Sequence, residues 1–503
     1  MTEMLTAYMA PLMFAALVLF LLLGYPVAFS LAANGLYFGL LGVAIGLLSP
    51  DLFQALPERV YGIMYNDTLL AIPFFTFMGL ILERSGMAED LLDTVGQLFG
   101  PVRGGLAFAV VFVGALLAAT TGVMAASVIS MGLISLPIML RYGYDRRLAS
   151  GIIAASGTLA QIIPPSLVLI VLADQIGRSV GDMYQGALVP ALMLCAAYGG
   201  FVLLVAALRP QAMPALPLSA RRVRGWSLYR HALLVMVPPL CLIFLVLGTI
   251  FLGIATPTEG GAMGAVGALA LALVRQRLNW KLLKQAMDST AKLSSFVLFI
   301  LIGSTVFGLV FRAVDGDLWI EKLLIELPGG ELGFLIVVNM LVFLLAFFLD
   351  FFELAFIIVP LLVPVAEKLG IDLIWFGVLL GINMQTSFMH PPFGFALFFL
   401  RSVAPPSVRT AEIYWGAVPF VVIQLIMVTI VIAVPGLVTH ASNTAEYVDP
   451  NEIQIELPLP ALDLQPIEIP PPGEVFEERA GDQDEFPDDL THAIEPARNP
   501  DRR

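Results

Sequence analysis

Charge is the scarcest feature of this chain. Asp, Glu, Lys and Arg make up 13% of its 503 residues, about half the roughly 25% of an average soluble domain. Cysteine is nearly missing as well. Cys195 and Cys241 both lie in apolar runs, which excludes a disulfide framework or a cysteine metal cluster. No G-x-x-x-x-G-K-[ST] loop occurs, so the chain has no phosphate cradle with which to hydrolyse ATP itself. H-E-x-x-H and C-x-x-C are absent too, and nothing points to a nucleic-acid partner. The first residues, MTEMLTAYMAPLMF, lack a basic stretch and a small-residue cleavage site. They read as a first membrane span, not as a removed signal peptide.

What the chain does have is apolar length. Hydrophobic residues reach 59%, with a mean hydropathy of +0.90, in repeated runs of about 20 residues, the length a bilayer span needs. This is an all-α polytopic membrane protein. The net charge of −13 belongs to its end: from Ala441 onward there are 16 Asp/Glu against 4 Arg. That proline-rich acidic tail is expected to be disordered, and the membrane body is close to neutral.

Two stretches set the organisation. SGIIAASGTLAQIIPPS (150–166) and VLLGINMQTSFMHPPFG (378–394) are apolar enough for a membrane, yet each ends in a proline pair. Proline offers no N–H and clashes with the preceding turn, so both helices must break. Backbone freed at membrane depth has to be buried in protein or line a polar cavity. A fixed offset of 227 relates Pro137 to Pro364, Gly143 to Gly370, Asp145 to Asp372 and Pro164–Pro165 to Pro391–Pro392. Such a repeat marks an internal duplication.

The expected order is therefore two matched halves. Residues 1–208 form the first repeat, with spans near 5–24, 30–48, 66–83 and 183–208 and an amphipathic surface stretch at 86–105. It also holds a re-entrant hairpin at 106–140 and a broken helix at 146–176. As one straight helix, the 35 residues of the hairpin would extend about 52 Å, too long for a core of about 30 Å. A basic connector covers 209–231. The second repeat, 232–435, repeats the order with spans near 232–252, 257–274, 293–312 and 411–434. Its surface stretch is 313–331, its hairpin 332–366 and its broken helix 373–401. The tail is 436–503.

Basic residues such as Arg141, Arg146, Arg147, Arg221, Arg275 and Lys281 place the connector side in the cytoplasm. With five crossings per half, the repeats are inverted and both termini are periplasmic. Two broken helices at matched positions mark a secondary transporter's binding site.

The candidate ligands follow from this frame. Thr120, Thr121 and Gly122 at the first hairpin tip, with Ser156, Gly157 and Thr158, offer hydroxyls and freed carbonyls. Hard oxygens of this kind suit Na⁺; small residues for close helix packing are the alternative. At the second tip Asp350 and Glu353 sit in a strongly apolar run, where ionisable groups face an interior or a wet cavity. Asp350 with Asn383, Thr386 and Ser387 forms the second candidate Na⁺ site. Glu353 is either proton-linked or structural. A substrate carboxylate finds no arginine in the core spans for bidentate pairing, so the positive ends of broken helices would hold it. Ser127, Pro165, Ser166, His390 and Pro392 are the candidate substrate contacts; His390 can also be a structural histidine. Asp145 and Asp372 read as helix N-caps, and Thr256–Glu259 as a capping box with proline at the first helical position.

The runs GYDRRLASGIIAASGTLAQIIPPS, GIATPTEGGAMGA and LGIDLIWFGVLLGINMQTSFMHPPFGFALF resemble the large membrane subunit of TRAP transporters, the tripartite ATP-independent periplasmic class. The likeness covers about residues 5–435. FFELAFIIVPLLVP and QTSF–HPPFGFALF resemble most the mannitol/chloroaromatic-type branch. The resemblance implies a non-enzymatic, Na⁺-coupled importer of small organic acids in the bacterial inner membrane, working by an elevator motion. It further implies two partners, a small four-helix membrane subunit and a periplasmic substrate-binding protein. No cofactor beyond the coupling ion is implied. Branch resemblance favours monocarboxylates or 2-oxo acids, and a stand-alone cation/carboxylate symporter is the alternative. The tail from Ala441 departs from the family pattern.

Overall fold

The computed structural model describes residues 8–121, 124–221 and 225–440; the acidic tail, and the Gly122 expected in the first ion site, lie outside them. Every regular element among the described residues is helical. The first half runs α1 (Met9–Leu22), α2 (Val27–Ala44), α3 (Ala55–Met64), α4 (Asp67–Arg84) and α5 (Met87–Phe99). The first hairpin arms are α6 (Gly105–Thr121) and α7 (Met124–Arg141), followed by the broken pair α8 (Arg146–Thr158) and α9 (Leu167–Ile176), then α10 (Val180–Leu208). The second half runs α11 (Trp226–Phe251), α12 (Pro257–Val274), α13 (Trp280–Ala313) and α14 (Gly316–Ile325). Its hairpin arms are α15 (Gly330–Leu345) and α16 (Val359–Lys368), its broken pair α17 (Leu373–Ser387) and α18 (Phe395–Val403), and α19 (Thr410–Ala433) and α20 (Gly436–Thr439) close it.

Among the described residues, seven helices are long and apolar enough to cross a bilayer, up to nine if two bent pairs each count as one span. One of those pairs lies where a surface stretch at 313–331 is expected to precede the second hairpin. α14 turns by 117° into α15, so the acidic 316–325 segment stands apart from the arm that follows it. α3 went unanticipated; it is short and mixed in character and meets α4 at 46°. α13 is longer than the sequence suggests. Its 34 residues extend about 51 Å, because the polar start WKLLKQAMDSTAKL continues the helix beyond the apolar run.

Two groups of helices pack together. α2 and α4 lie against α13, and α4 also packs on α12. α8 is enclosed by α7, α6 and α19, α17 packs on α9, α15 and α19, and α4 joins the two groups through α6 and α9. Backbones touch where glycines meet: a Cβ on Gly151 of α8 would stand 2.0 Å from the Gly416 carbonyl oxygen of α19. Gly35 of α2 similarly faces Val306 of α13, and Gly303 faces Ala28. This is small-residue packing, which membrane helices use because lipid supplies no hydrophobic drive between them.

Local chemistry sets the breaks. Asp145 accepts from the Arg147 and Leu148 amides, and Asp372 from that of Trp375, so each starts its broken helix as an N-cap. Gly143 and Gly370, just upstream, both take positive φ (82° and 74°), a backbone only glycine adopts freely. The Tyr144 phenol accepts from the Leu106 amide at 3.2 Å, tying this turn to the start of α6; burial pushes that phenol up to about 12. Thr256 and Glu259 form the expected capping box.

Candidate functional site

The two breaks come together in the middle of the molecule. A cavity of about 270 Å³ is walled by Met124 and Ala125 at the first hairpin tip and by Gln161, Leu167 and Val168 at the first break. Asp350, Phe351 and Phe352 of the second tip, Phe388, Phe395 and Phe399 of the second break, and Leu293 and Phe296 of α13 complete it. Both hairpins, both broken helices and one outer helix thus share one chamber.

The second tip is built by reciprocal capping. Asp350 accepts from the Glu353 amide at 3.0 Å, and Glu353 accepts from the Asp350 amide at 2.9 Å. A capping box needs both carboxyls at the helix start, which explains why two acids tolerate so apolar a run. Asp350 then lines the central cavity, while Glu353 lines a neighbouring one.

The remaining second-site residues are organised differently. The Asn383 amide donates to the backbone and side-chain oxygens of Asn339 on α15, at 2.7 and 3.0 Å. Thr386 and Ser387 donate to the Asn383 and Met384 carbonyls, each at 2.6 Å. They cluster at the end of α17, and the structure does not place them among the walls of the Asp350 cavity.

In the first half, the Thr158 hydroxyl donates to the Ala155 carbonyl at 2.8 Å. It also accepts from the Gln385 amide at 3.2 Å. Those two residues are 227 apart, so this bond joins matched positions of the two broken helices. Gly157 is a packing position, since a Cβ there would stand 2.3 Å from the Val128 side chain. Ser127 is buried. The side chains of Thr120 and Thr121, like Gly122, fall outside the described residues.

Among the described residues, two buried oxygens lack hydrogen-bond partners at positions the offset also relates: Ser156 Oγ and Asn383 Oδ1. An unpaired buried oxygen costs about 1–3 kcal/mol, and a hard cation would repay it. The donor set of hydroxyl, amide and carbonyl oxygens fits Na⁺.

Four of the expected substrate contacts lie in well-defined local settings. Ser166 caps α9, accepting from the Val168 and Leu169 amides, and the Tyr184 phenol donates to its carbonyl at 3.3 Å. Pro165 and Pro392 each end a cis Pro–Pro bond, and Tyr414 donates to the Pro392 carbonyl at 3.2 Å. His390 is buried between Phe343 and Phe347, with ring centroids 4.2 and 4.4 Å away. Neither of its nitrogens has a partner, and it does not line the cavity. A G-x-S-x-G match at 177–181 is only a helix start, where Ser179 caps α10.

The cavity also holds residues that the sequence reading did not choose. Gln161 lies inside the first broken stretch, and Phe296 and Phe352 look like ordinary span residues. Their signal was aromatic and amide side chains flanking breaks, which gains meaning only once the segments are brought together.

Comparison with known proteins settles the family. The model of the tripartite ATP-independent periplasmic transporter, DctM component, matches residues 14–437. The chain belongs to this family of TRAP transporter large permeases. It is 32% identical over 400 residues to the C4-dicarboxylate TRAP transporter large permease protein DctM of Pseudomonas aeruginosa, covering 78% of this chain and 91% of that one. The sialic acid TRAP transporter large permease protein SiaM of Vibrio cholerae is 27% identical over 413 residues, covering 82% and 93%. The fold of the permease is similar to that of the Alcanivorax borkumensis YdaH transporter, with a TM-score of 0.53 and 16% identity over 78% of this chain and 90% of that one. Neisseria gonorrhoeae MtrF aligns with the same TM-score at 11% identity, over 76% and 83%. These relatives are transporters, and the permease is not an enzyme.

Proposed function

We propose that the permease imports small organic acids by Na⁺-coupled alternating access. It would work in the bacterial inner membrane with a small four-helix membrane subunit and a periplasmic substrate-binding protein. The observation that carries this is the single cavity walled by both hairpin tips and both helix breaks. A secondary transporter places its substrate at the interface of two repeats, beside discontinuous helices. At about 270 Å³ the cavity sits near the lower end of ligand pockets, which suits a small acid.

Na⁺ would be held at two matched sites: Ser156, Gly157 and Thr158 with the first tip residues Thr120, Thr121 and Gly122, and Asn383, Thr386 and Ser387 near Asp350. The partnerless oxygens of Ser156 and Asn383 support this. The two halves read as inverted repeats, and hairpins with broken helices as the body that slides past α2, α4, α12 and α13. The packing of α4 on α6 and α9 would be the surface along which such a body slides. Relatives named for C4-dicarboxylates make that class the first to test, ahead of the monocarboxylates and 2-oxo acids suggested by branch resemblance.

The test is uptake of labelled organic acids into proteoliposomes holding the permease and its small subunit. It is run with and without an inward Na⁺ gradient and with and without the binding protein. Uptake that needs both supports the reading. Uptake that needs Na⁺ but ignores the binding protein would replace it with a stand-alone symporter.

A further inference from the structure

Beside the central cavity lies a second one of about 680 Å³, and Phe296 of α13 belongs to the walls of both. Its walls include Tyr25, Phe29 and Phe299, together with two charged side chains, Lys292 and Glu353. Phe296 meets Phe352 of the second hairpin tip edge-on, with centroids 6.1 Å apart, so an aromatic pair stands between the chambers. Asp350 faces the inner chamber and Glu353 the outer one.

This arrangement poses an electrostatic problem. Two carboxylates at one hairpin tip repel an approaching organic anion. The Glu353 carboxylate already accepts the Asp350 amide at the start of the helix turn. Lys292 is exposed and, among the described residues, has no ion pair or hydrogen bond. Lys292 lies in the polar start of α13, one residue before its apolar run, where water can reach the ammonium at the edge of the cavity. It is also the lone cation among the described residues lining either chamber.

We infer that the outer chamber is the aqueous vestibule of the transport site, and that Lys292 is the specificity-determining cation that draws an organic anion past the Phe296–Phe352 pair. The inference rests on the organic-acid reading above. Because Lys292 rides on α13 and both acids ride on the hairpin, the balance of charge at the vestibule depends on how these two elements are juxtaposed. An ammonium in a wet cleft raises the local concentration of anions and lowers that of cations, so a change in its charge moves the two in opposite directions. Here one lysine supplies that charge against two acids.

Reagent accessibility measures it directly. In a background with Cys195→Ser and Cys241→Ser, Phe296→Cys places a thiol at the junction of the chambers. Its modification rates by negatively charged sulfonatoethyl and positively charged trimethylammonioethyl methanethiosulfonate are compared in detergent. Adding Lys292→Gln should lower the anionic-to-cationic rate ratio by about tenfold. Lys292→Arg should preserve the ratio, and high salt should shrink the effect of Lys292→Gln by screening. In parallel, with Phe296 intact, Lys292→Gln should cut uptake of the organic acid several-fold while its half-saturation by Na⁺ stays unchanged. A reagent ratio indifferent to Lys292→Gln, or to salt, overturns the inference. Loss of uptake in Lys292→Arg equal to that in Lys292→Gln overturns the specificity role. If the unmodified complex takes up no organic acid at all, the functional reading fails while the reagent ratio still decides the vestibule.

Discussion

The two helix breaks carry the same punctuation and differ in burial. Around Pro164–Pro165 almost every residue from Leu159 to Ala173 is buried, and Ser166 closes the gap by capping α9. Around Pro391–Pro392 the chain reaches the surface at Pro392, Phe393 and Phe395, and α18 starts at Gly394 without a side-chain cap. One break is sealed and the other is open. Under the alternating-access reading proposed above, a state open to one side would leave the two breaks unequally exposed in this way. The largest test of the comparison is at the contact between halves. Gly151→Val should prevent or severely destabilise folding, by about 3 kcal/mol, because its Cβ meets the backbone of Gly416. Gly248→Ala, with nothing within 4 Å, should be tolerated. Thermal unfolding in detergent reads both.

The hairpin tips sharpen the contrast. Of the two tips only the second carries acids, so Asp350→Asn should reduce uptake more than about tenfold, equivalent to about 1.4 kcal/mol of lost stabilisation. Asparagine also caps helices well, so thermal stability should change little. Asp145→Asn replaces a cap in a like way, away from the cavity, and should leave uptake near the native rate. Equal losses from both substitutions would assign Asp350 to capping alone.

A smaller effect is expected where the halves exchange a hydrogen bond. Thr158→Val and Gln385→Leu each remove one side of the contact between matched positions. A double-mutant cycle should return a coupling of about 0.5–1.5 kcal/mol, the usual net worth of such a bond. A coupling of zero would mean that the two broken helices are held together by packing alone.

Much of this architecture is legible in the chain because its signals are local. Apolar runs of span length, proline pairs and the caps Asp145, Asp372 and Thr256 each act within a few residues, and each is found where expected. The hairpin arms emerge from the same logic. The site is less legible because cavity walls are a tertiary property. Gln161, Phe296 and Phe352 lie far apart in the chain, and no periodicity relates them. His390 shows the same limit: the chain leaves open whether it meets substrate or packs, and only the tertiary structure puts it between two phenylalanines. The polar beginning of α13, where Lys292 lies, resembles a loop end to any hydropathy reading. Only helix continuation puts its ammonium beside a cavity.

The finest test uses one tyrosine from each half. Tyr184 and Tyr414 both donate to a carbonyl at the break of their own half, Ser166 and Pro392 respectively. Tyr184 is fully buried, whereas Tyr414 is half-buried and its bond is solvent-exposed. Removing the first hydroxyl leaves the Ser166 carbonyl without its phenol partner in a dry site, and losing such a bond costs about 1 kcal/mol or more. Removing the second lets water take its place, at a cost within about 0.5 kcal/mol. Tyr184→Phe should therefore lower the unfolding midpoint measurably and Tyr414→Phe hardly at all. Equal shifts would mean that both breaks are sealed alike, and the difference in burial would lose its bearing on which half is open.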